Sequence, residues 1–172
     1  TFDDHQFHEK DLTNIGRVGR KWFGEGFEIN QEQEFSFNFP NIDTSTPIKL
    51  SINTASSAIT TTTFKVLANG QEVGTMSFPP LAQNSSILFY ESSLPTNTTF
   101  PSSENVKIKL SYNNNGVPGS KGYLDKIMLT AKRNLQAYGK QFQFQYDLAN
   151  SSLGIASYTI SNATGISQVW NV

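Results

Sequence analysis

Apolar and polar residues alternate along most of this 172-residue chain. A period of two places successive side chains on opposite faces of a β-strand. Polar or turn-forming residues interrupt the alternation at intervals of about ten residues, which predicts many short strands joined by turns. The pattern covers residues 34–39, 48–52, 61–67, 72–78, 86–91, 106–112, 123–132, 141–146 and, more weakly, 154–161. No segment has a helical period, so we predict an all-β protein.

Turn signals between these segments indicate how the strands connect. Asn69-Gly70 separates two alternating segments and is a strong signal for a two-residue β-hairpin. Pro40 and Pro79-Pro80 end the segments that precede them. Many short strands with turns between them are typical of a sandwich or a barrel. We therefore predict an antiparallel β-sandwich of the jelly-roll, galactose-binding-like type.

The chain length fits one domain with a substantial core. We assign residues 1–15 to an N-terminal tail or linker and residues 16–167 to the sandwich. Residues 168–172 are expected to begin a connection to a downstream domain. The chain starts at Thr1 with no initiator methionine and no signal-peptide pattern, so we expect it to be an excised or processed piece of a longer protein.

Composition narrows the function. The formal net charge of −1 argues against a nucleic-acid partner, which requires a basic face. The chain has no cysteine, which excludes disulfides, thiolate catalysis and cysteine zinc sites within it. No apolar run approaches the roughly 20 residues that span a bilayer. Neutral polar residues outnumber charged ones, a composition common in secreted all-β proteins.

Catalytic and metal chemistry has few candidates. The chain has two histidines, His5 and His8, and acidic residues surround them. A metal-binding pair is one reading, but a solvated N-terminal tail is the better one. No serine lies in a Gly-x-Ser-x-Gly elbow, and no two carboxylates stand out as a glycosidase pair. We expect no catalytic residue, metal or cofactor in this chain.

Aromatic residues offer a binding hypothesis. The chain contains 13 Phe, 6 Tyr and 2 Trp. Trp22, Tyr90, Tyr112 and Tyr123 lie near the ends of predicted strands, where exposed rings could stack on a sugar. The competing interpretation is that these rings fill the core, which aromatic side chains dominate in most folds. The phenylalanines at alternating strand positions are assigned to the core.

The segment 17–27, with three glycines, three basic residues and three aromatic residues, differs from the rest of the chain. Within it, Gly-Arg-Lys-Trp-Phe-Gly-Glu-Gly-Phe at 19–27 resembles a segment that opens a β-sandwich module in gingipain-like cysteine peptidases, in particular the type IX secretion sorting peptidases of Bacteroidetes. The sequence Gln-Val-Trp-Asn-Val at 168–172 is similar to the strand that joins that module to the peptidase domain. Residues 123–127 and 132–135 resemble the end of its central portion.

The resemblance implies a non-catalytic module of an exported peptidase at the outer membrane or cell surface. Its partner would be the downstream peptidase domain, which would carry the catalytic Cys and His, and secreted cargo proteins or glycans are further partners to test. Trp22, Phe23 and Trp170 would then pack at the domain junction. The alternatives are a carbohydrate-binding module of a surface protein and an adhesion domain without a small ligand.

Overall fold

The computed structural model describes residues 1–17, 19–151, 153–155 and 157–170. In these ranges the strands are β1 (Phe2–Glu9), β2 (Gly26–Phe27), β3 (Glu32–Asn38), β4 (Ile48–Ser57), β5 (Thr62–Ala68), β6 (Gln71–Phe78), β7 (Tyr90–Ser93), β8 (Thr99–Phe100), β9 (Asn105–Asn113) and β10 (Lys121–Arg133). Short 3-10 helices span Ile15–Arg17, Asp147–Ser151 and Ala163–Gly165. None of these helices has the length and apolar character needed to cross a bilayer.

The strands form two antiparallel sheets around a shared core. The first sheet has the order β1–β10–β4–β7, with β2 beside β10 and β8 beside β4. The second sheet has the order β3–β9–β5–β6. The successive strands β3, β4 and β5 alternate between the sheets, and so do β8, β9 and β10, as in jelly-roll sandwiches. The predicted all-β class and antiparallel β-sandwich are confirmed.

Strand β9 illustrates how the sequence pattern produces the core. Its even-numbered residues from Val106 to Tyr112 are buried between the sheets. Its odd-numbered residues face the other side, where Lys107 and Lys109 form ion pairs with Glu34 and Glu32 at 2.9 and 2.7 Å. Exposed pairs of this kind contribute about 0–1 kcal/mol each, so apolar burial accounts for most of the stability of this sheet.

The hairpin signal at Asn69-Gly70 is also confirmed. Both residues have positive φ, 48° and 83°, as a type I′ turn requires, and they connect β5 to β6. The alternating segment at 86–91 is only partly a strand, because β7 begins at Tyr90.

A β-bulge at Asp125 changes the alternation in β10. Leu124 is paired with Thr54 and Lys126 with Asn53, so Asp125 is the extra residue between the two pairs. Leu124 and Ile127 consequently both point into the core although they are three residues apart. The bulge sets Asp125 on the outer face of the first sheet, where it enters the site described below.

The tail predicted for residues 1–15 is wrong for Phe2–Glu9, which form β1 and pair with β10 over their whole length. Polar side chains on β1 face the sandwich and obscure its strand pattern. Asp4 pairs with Arg133, Gln6 donates to the Asn38 carbonyl at 2.6 Å, and His8 contacts Glu25. The prediction relied on the general mobility of chain termini, and this edge strand lacks the apolar alternation that indicates a strand.

The alternating segment at 141–146 is not a strand. Its one ladder contact is the isolated bridge between Gln145 and Asp3. Its phenylalanines pack instead against other rings, Phe144 edge to face with Phe2 and Phe142 at a tilt against Tyr138. The weaker segment 154–161 is also irregular where it is described, with a bridge at Ser161, and Ala156 lies outside the described residues.

Arg133 holds the segment that follows β10 against the sandwich through Tyr138. It is buried at the end of β10, and its guanidinium lies 2.8 Å from a carboxylate oxygen of Asp4. It also donates to the carbonyl of Pro40 and to the Tyr138 hydroxyl, and it stacks over the rings of Phe2 and Tyr138. One buried cation therefore connects β1, the loop after β3 and the segment that follows β10.

Candidate functional site

The segment singled out by the sequence folds into a hairpin on the outside of the first sheet. We call it the 12–23 hairpin, after Leu12 and Phe23, which begin and end it. Thr13 and Phe23 exchange backbone hydrogen bonds of 2.8 and 2.9 Å. Beyond the hairpin, the Gly24 N–H donates to the Leu124 carbonyl at 2.7 Å, so the chain rejoins β10. Val18 lies outside the described residues.

Phe23 attaches the hairpin to the sheet. Its side chain is fully buried, with ring centroids 5.2 Å from Phe89 and 5.8 Å from Tyr123. These rings lie outside the cluster of side chains between the sheets. Phe23 therefore belongs to a second, small apolar cluster that covers the outer face of the first sheet.

Two polar contacts fix the base of the hairpin. Glu25 accepts hydrogen bonds from Lys10 and His8, both at 2.9 Å. It thus links the segment that precedes the hairpin to the segment that follows it. Burial raises the pKa of Glu25, but the hydrogen bonds from Lys10 and His8 outweigh it and the pKa lies below its ordinary value. At Gly24 a Cβ would lie 3.2 Å from the Lys10 carbonyl oxygen. The close approach of these two backbone segments therefore favours glycine.

Lys21 ties the hairpin to the bulge. Its ammonium lies 3.0 Å from Asp125 and 3.3 Å from Glu91. Burial lowers the pKa of Lys21, yet the hydrogen bonds to Asp125 and Glu91 are stronger and raise it above its ordinary value. The loop itself is held by the Asn14 side chain, which donates to the Gly19 and Lys21 carbonyls. A polar depression of about 160 Å³ lies beside this cluster, lined by Asn53, Thr54, Glu91, Ser92, Ser93 and Asp125.

The outward side of the hairpin is exposed. Lys21 and Phe23 contact the first sheet, so Trp22 between them points the opposite way. Trp22 is 45% exposed, and Leu12 is more exposed still. Arg17 and Arg20 are exposed near the tip, and neither has an ion-pair partner among the described residues.

The structure does not bring the four predicted ligand aromatics onto one surface. Tyr112 is a core residue, 2% exposed, and its hydroxyl bonds Ser56 at 2.9 Å, so the prediction of a ligand platform is wrong for this position. Tyr90 is half-buried and packs against the core between the sheets. Tyr123 is half-buried beneath Phe23, and burial raises the pKa of its hydroxyl. Trp22 alone among the four is exposed.

The predicted junction residues lie in different environments. Phe23 is buried inside this chain, whereas Trp22 is half-exposed on the hairpin. Trp170 is 75% exposed, and its indole N–H donates to the Gln168 side chain at 3.2 Å. Residues 171 and 172 of the predicted junction lie outside the described residues.

The described part of the chain offers no clustered metal ligands, and the depressions described on its surface are small. No group of three His, Asp or Glu side chains in it could hold a metal ion. The two histidines have separate partners, His5 with Thr130 and Asp147 and His8 with Glu25. A second depression, near Pro118 and Ser120, has a volume of about 250 Å³, below the roughly 300–1,000 Å³ of ligand pockets.

Most contacts that build this site have no signal in the sequence. The glycine-rich segment with Trp22 and Phe23 signalled an unusual local structure. The Glu25–Lys10–His8 contact had no signal, because its members lie on separate strands and loops of polar sequence. The bulge at Asp125 likewise follows from pairing with β4, which a single alternating segment does not reveal.

Comparisons with known proteins give a likeness in structure and none in sequence. No protein-family model and no curated protein matches the chain. The crystal structure of dimeric latent PorU from Porphyromonas gingivalis matches with a TM-score of 0.73 and 19% identity, over 89% of this chain and 15% of that chain. The carbohydrate-binding module CBM36 in complex with calcium and xylotriose covers 73% of this chain and 98% of that chain at 18% identity, but its TM-score of 0.46 is too low to support an argument. The chain thus has the fold of a β-sandwich module in PorU.

Proposed function

We propose that this chain is a non-catalytic β-sandwich module of an exported, gingipain-like sorting peptidase, in which it supports or positions the peptidase domain. The observation that carries the proposal is the fold match to PorU over 89% of the chain. PorU is one of the sorting peptidases that the segments at 19–27 and 168–172 resemble. This chain spans only 15% of the PorU chain, which leaves room for a peptidase domain elsewhere in the polypeptide.

The chemistry of the chain agrees with a supporting role. A cysteine peptidase needs a thiolate and a base beside it, and this chain has no cysteine. The nucleophile would come from another domain of the same polypeptide. In this proposal the parent protein is exported and lies at the outer membrane or cell surface.

The C-terminal region provides a docking segment for that domain. Large apolar side chains are exposed there at Leu153, Ile155, Val169 and Trp170. Large contiguous apolar patches mark surfaces that another protein or domain covers, and in this proposal these four side chains contribute to one such patch. Trp170 would become buried when the downstream domain is present.

Activity measurements on two samples test the proposal. One is the intact polypeptide, the longer protein that we propose contains this chain, and the other is the 172-residue chain alone. We expect the intact polypeptide to cleave peptide substrates and to be inactivated by a thiol-alkylating reagent, and the 172-residue chain to have no peptidase activity. In a Trp22→Phe background, the emission difference between variants with Trp170 and with Trp170→Phe isolates Trp170, and this difference spectrum should shift to shorter wavelength in the intact polypeptide. An intact polypeptide without thiol-dependent activity would contradict the proposed function.

Carbohydrate binding is the second candidate, and the exposed ring of Trp22 is the observation that keeps it open. Calorimetric titration of the chain against a broad glycan panel decides it. Binding that is lost in Trp22→Ala, with unfolding unchanged, would support sugar recognition. Absence of binding across the panel would remove this candidate. Tyr112→Ala is unsuitable for the test, because Tyr112 is part of the core.

A further inference from the structure

We propose that the 12–23 hairpin is a docking element for an acidic protein surface on another domain of the same polypeptide. This inference rests on the proposed function, because it assumes that such a domain exists. It adds a contact surface separate from the exposed apolar side chains at 153–170. It also gives the chemistry of the partner surface that binds the hairpin.

Contacts within this chain hold the described residues at both ends of the hairpin. Phe23 is fully buried at its end, and Lys21 is held by Asp125 at 3.0 Å. Asn14 donates hydrogen bonds to two carbonyls of the loop, and Glu25 links to Lys10 at the base. A preordered loop loses little conformational entropy on association, and this raises its affinity for a partner.

The residue types on the outward side match those that dominate protein interfaces. Trp and Arg are enriched among the residues that contribute most to binding, whereas Lys is depleted. Trp22 and Leu12 provide apolar area, and Arg17 and Arg20 provide two cations without ion-pair partners among the described residues. A guanidinium binds a carboxylate through two parallel hydrogen bonds. The complementary surface therefore carries Asp or Glu side chains around an apolar depression.

An anionic membrane is the other partner for a basic and aromatic loop, and the charge count disfavours it. Lys10 and Lys21 are already paired with carboxylates of this chain, so Arg17 and Arg20 are the cations left for lipid. Each basic residue near an anionic bilayer strengthens binding by about fivefold, so two give only about 25-fold. Arginine contacts buried in a protein interface have much larger effects.

Hydrogen exchange compares the isolated chain with the intact polypeptide. We expect peptides that cover residues 12–22 to exchange at least tenfold more slowly in the intact polypeptide. If residues 157–170 become protected and the hairpin does not, the docking inference is wrong and the proposed function stands. If neither region is protected, both are wrong.

Charge reversal tests the chemistry of the partner. Arg17→Glu/Arg20→Glu should abolish the protection of the hairpin in the intact polypeptide and leave the unfolding of the isolated chain unchanged. The matched control, Lys65→Glu/Lys107→Glu on the outer face of the second sheet, should keep that protection. Protection that survives the arginine reversal would overturn the acidic partner. Binding of the isolated chain to phosphatidylglycerol vesicles at physiological salt, with a blue shift of Trp22 emission in a Trp170→Phe background, would overturn the protein partner.

Discussion

Replacing Arg133 by methionine removes the buried cation that connects β1 to the C-terminal segment. The substitution keeps a long side chain between the rings of Phe2 and Tyr138 but leaves the Asp4 carboxylate without the guanidinium 2.8 Å away. Breaking one side of a buried ion pair costs about 3–5 kcal/mol, because the remaining charge stays poorly hydrated. We expect a loss of about that size in the free energy of unfolding, a large share of the roughly 5–15 kcal/mol of a typical domain.

Urea unfolding followed by circular dichroism measures this loss. The matched control is Lys65→Met, which breaks an exposed ion pair with Glu72 at 3.2 Å and should cost about 0–1 kcal/mol. The double variant Asp4→Asn/Arg133→Met should recover part of the loss, because it no longer leaves an unpaired carboxylate. Equal losses for Arg133→Met and Lys65→Met would refute the reasoning, since Arg133 would then behave as a hydrated surface residue.

Three further predictions concern the core and the base of the hairpin. Gly122→Ala should destabilise the chain by about 1–3 kcal/mol in urea unfolding, because the added Cβ would lie 2.6 Å from the Phe64 ring; an unchanged midpoint would contradict this packing. Tyr112→Phe should cost about 1–2 kcal/mol by the same assay, because it removes the hydroxyl that bonds Ser56; a neutral effect would argue against that bond. Because the folded-state pKa of Glu25 is lowered, its contribution to stability is complete above the unfolded value near 4.5 and is lost as the pH falls through the folded pKa. Glu25→Gln should therefore flatten the acid side of the stability–pH curve, and an identical curve would count against the contact with Lys10 and His8.

The sequence was sufficient for the fold class because most strands have one apolar face. β9 alternates without interruption, and Asn69-Gly70 specified the hairpin between β5 and β6. β1 was missed because its inward side chains are polar and find partners only in the folded structure. The segment 141–146 failed in the opposite way, since its regular alternation places phenylalanines against other rings without building a ladder.

The site was predictable in position but not in geometry. Glycine and aromatic residues marked the segment at 17–27, and the structure forms a hairpin there that includes Trp22 and Phe23. Phe23 is buried, whereas its neighbour Trp22 is exposed. This difference depends on how the hairpin lies against the sheet, which the sequence does not specify. Tyr112 resembled Trp22 as an aromatic residue near a strand end, yet its register in β9 places it in the core.

Calorimetry of the intact polypeptide beside the 172-residue chain tests most directly whether this sandwich is a supporting module of a larger protein. If it packs against a peptidase domain, the unfolding transition of the sandwich should move to higher temperature in the intact polypeptide and merge with that of its neighbour. A sandwich that melts at the same temperature in both samples, with Trp170 still exposed to solvent, would contradict the account.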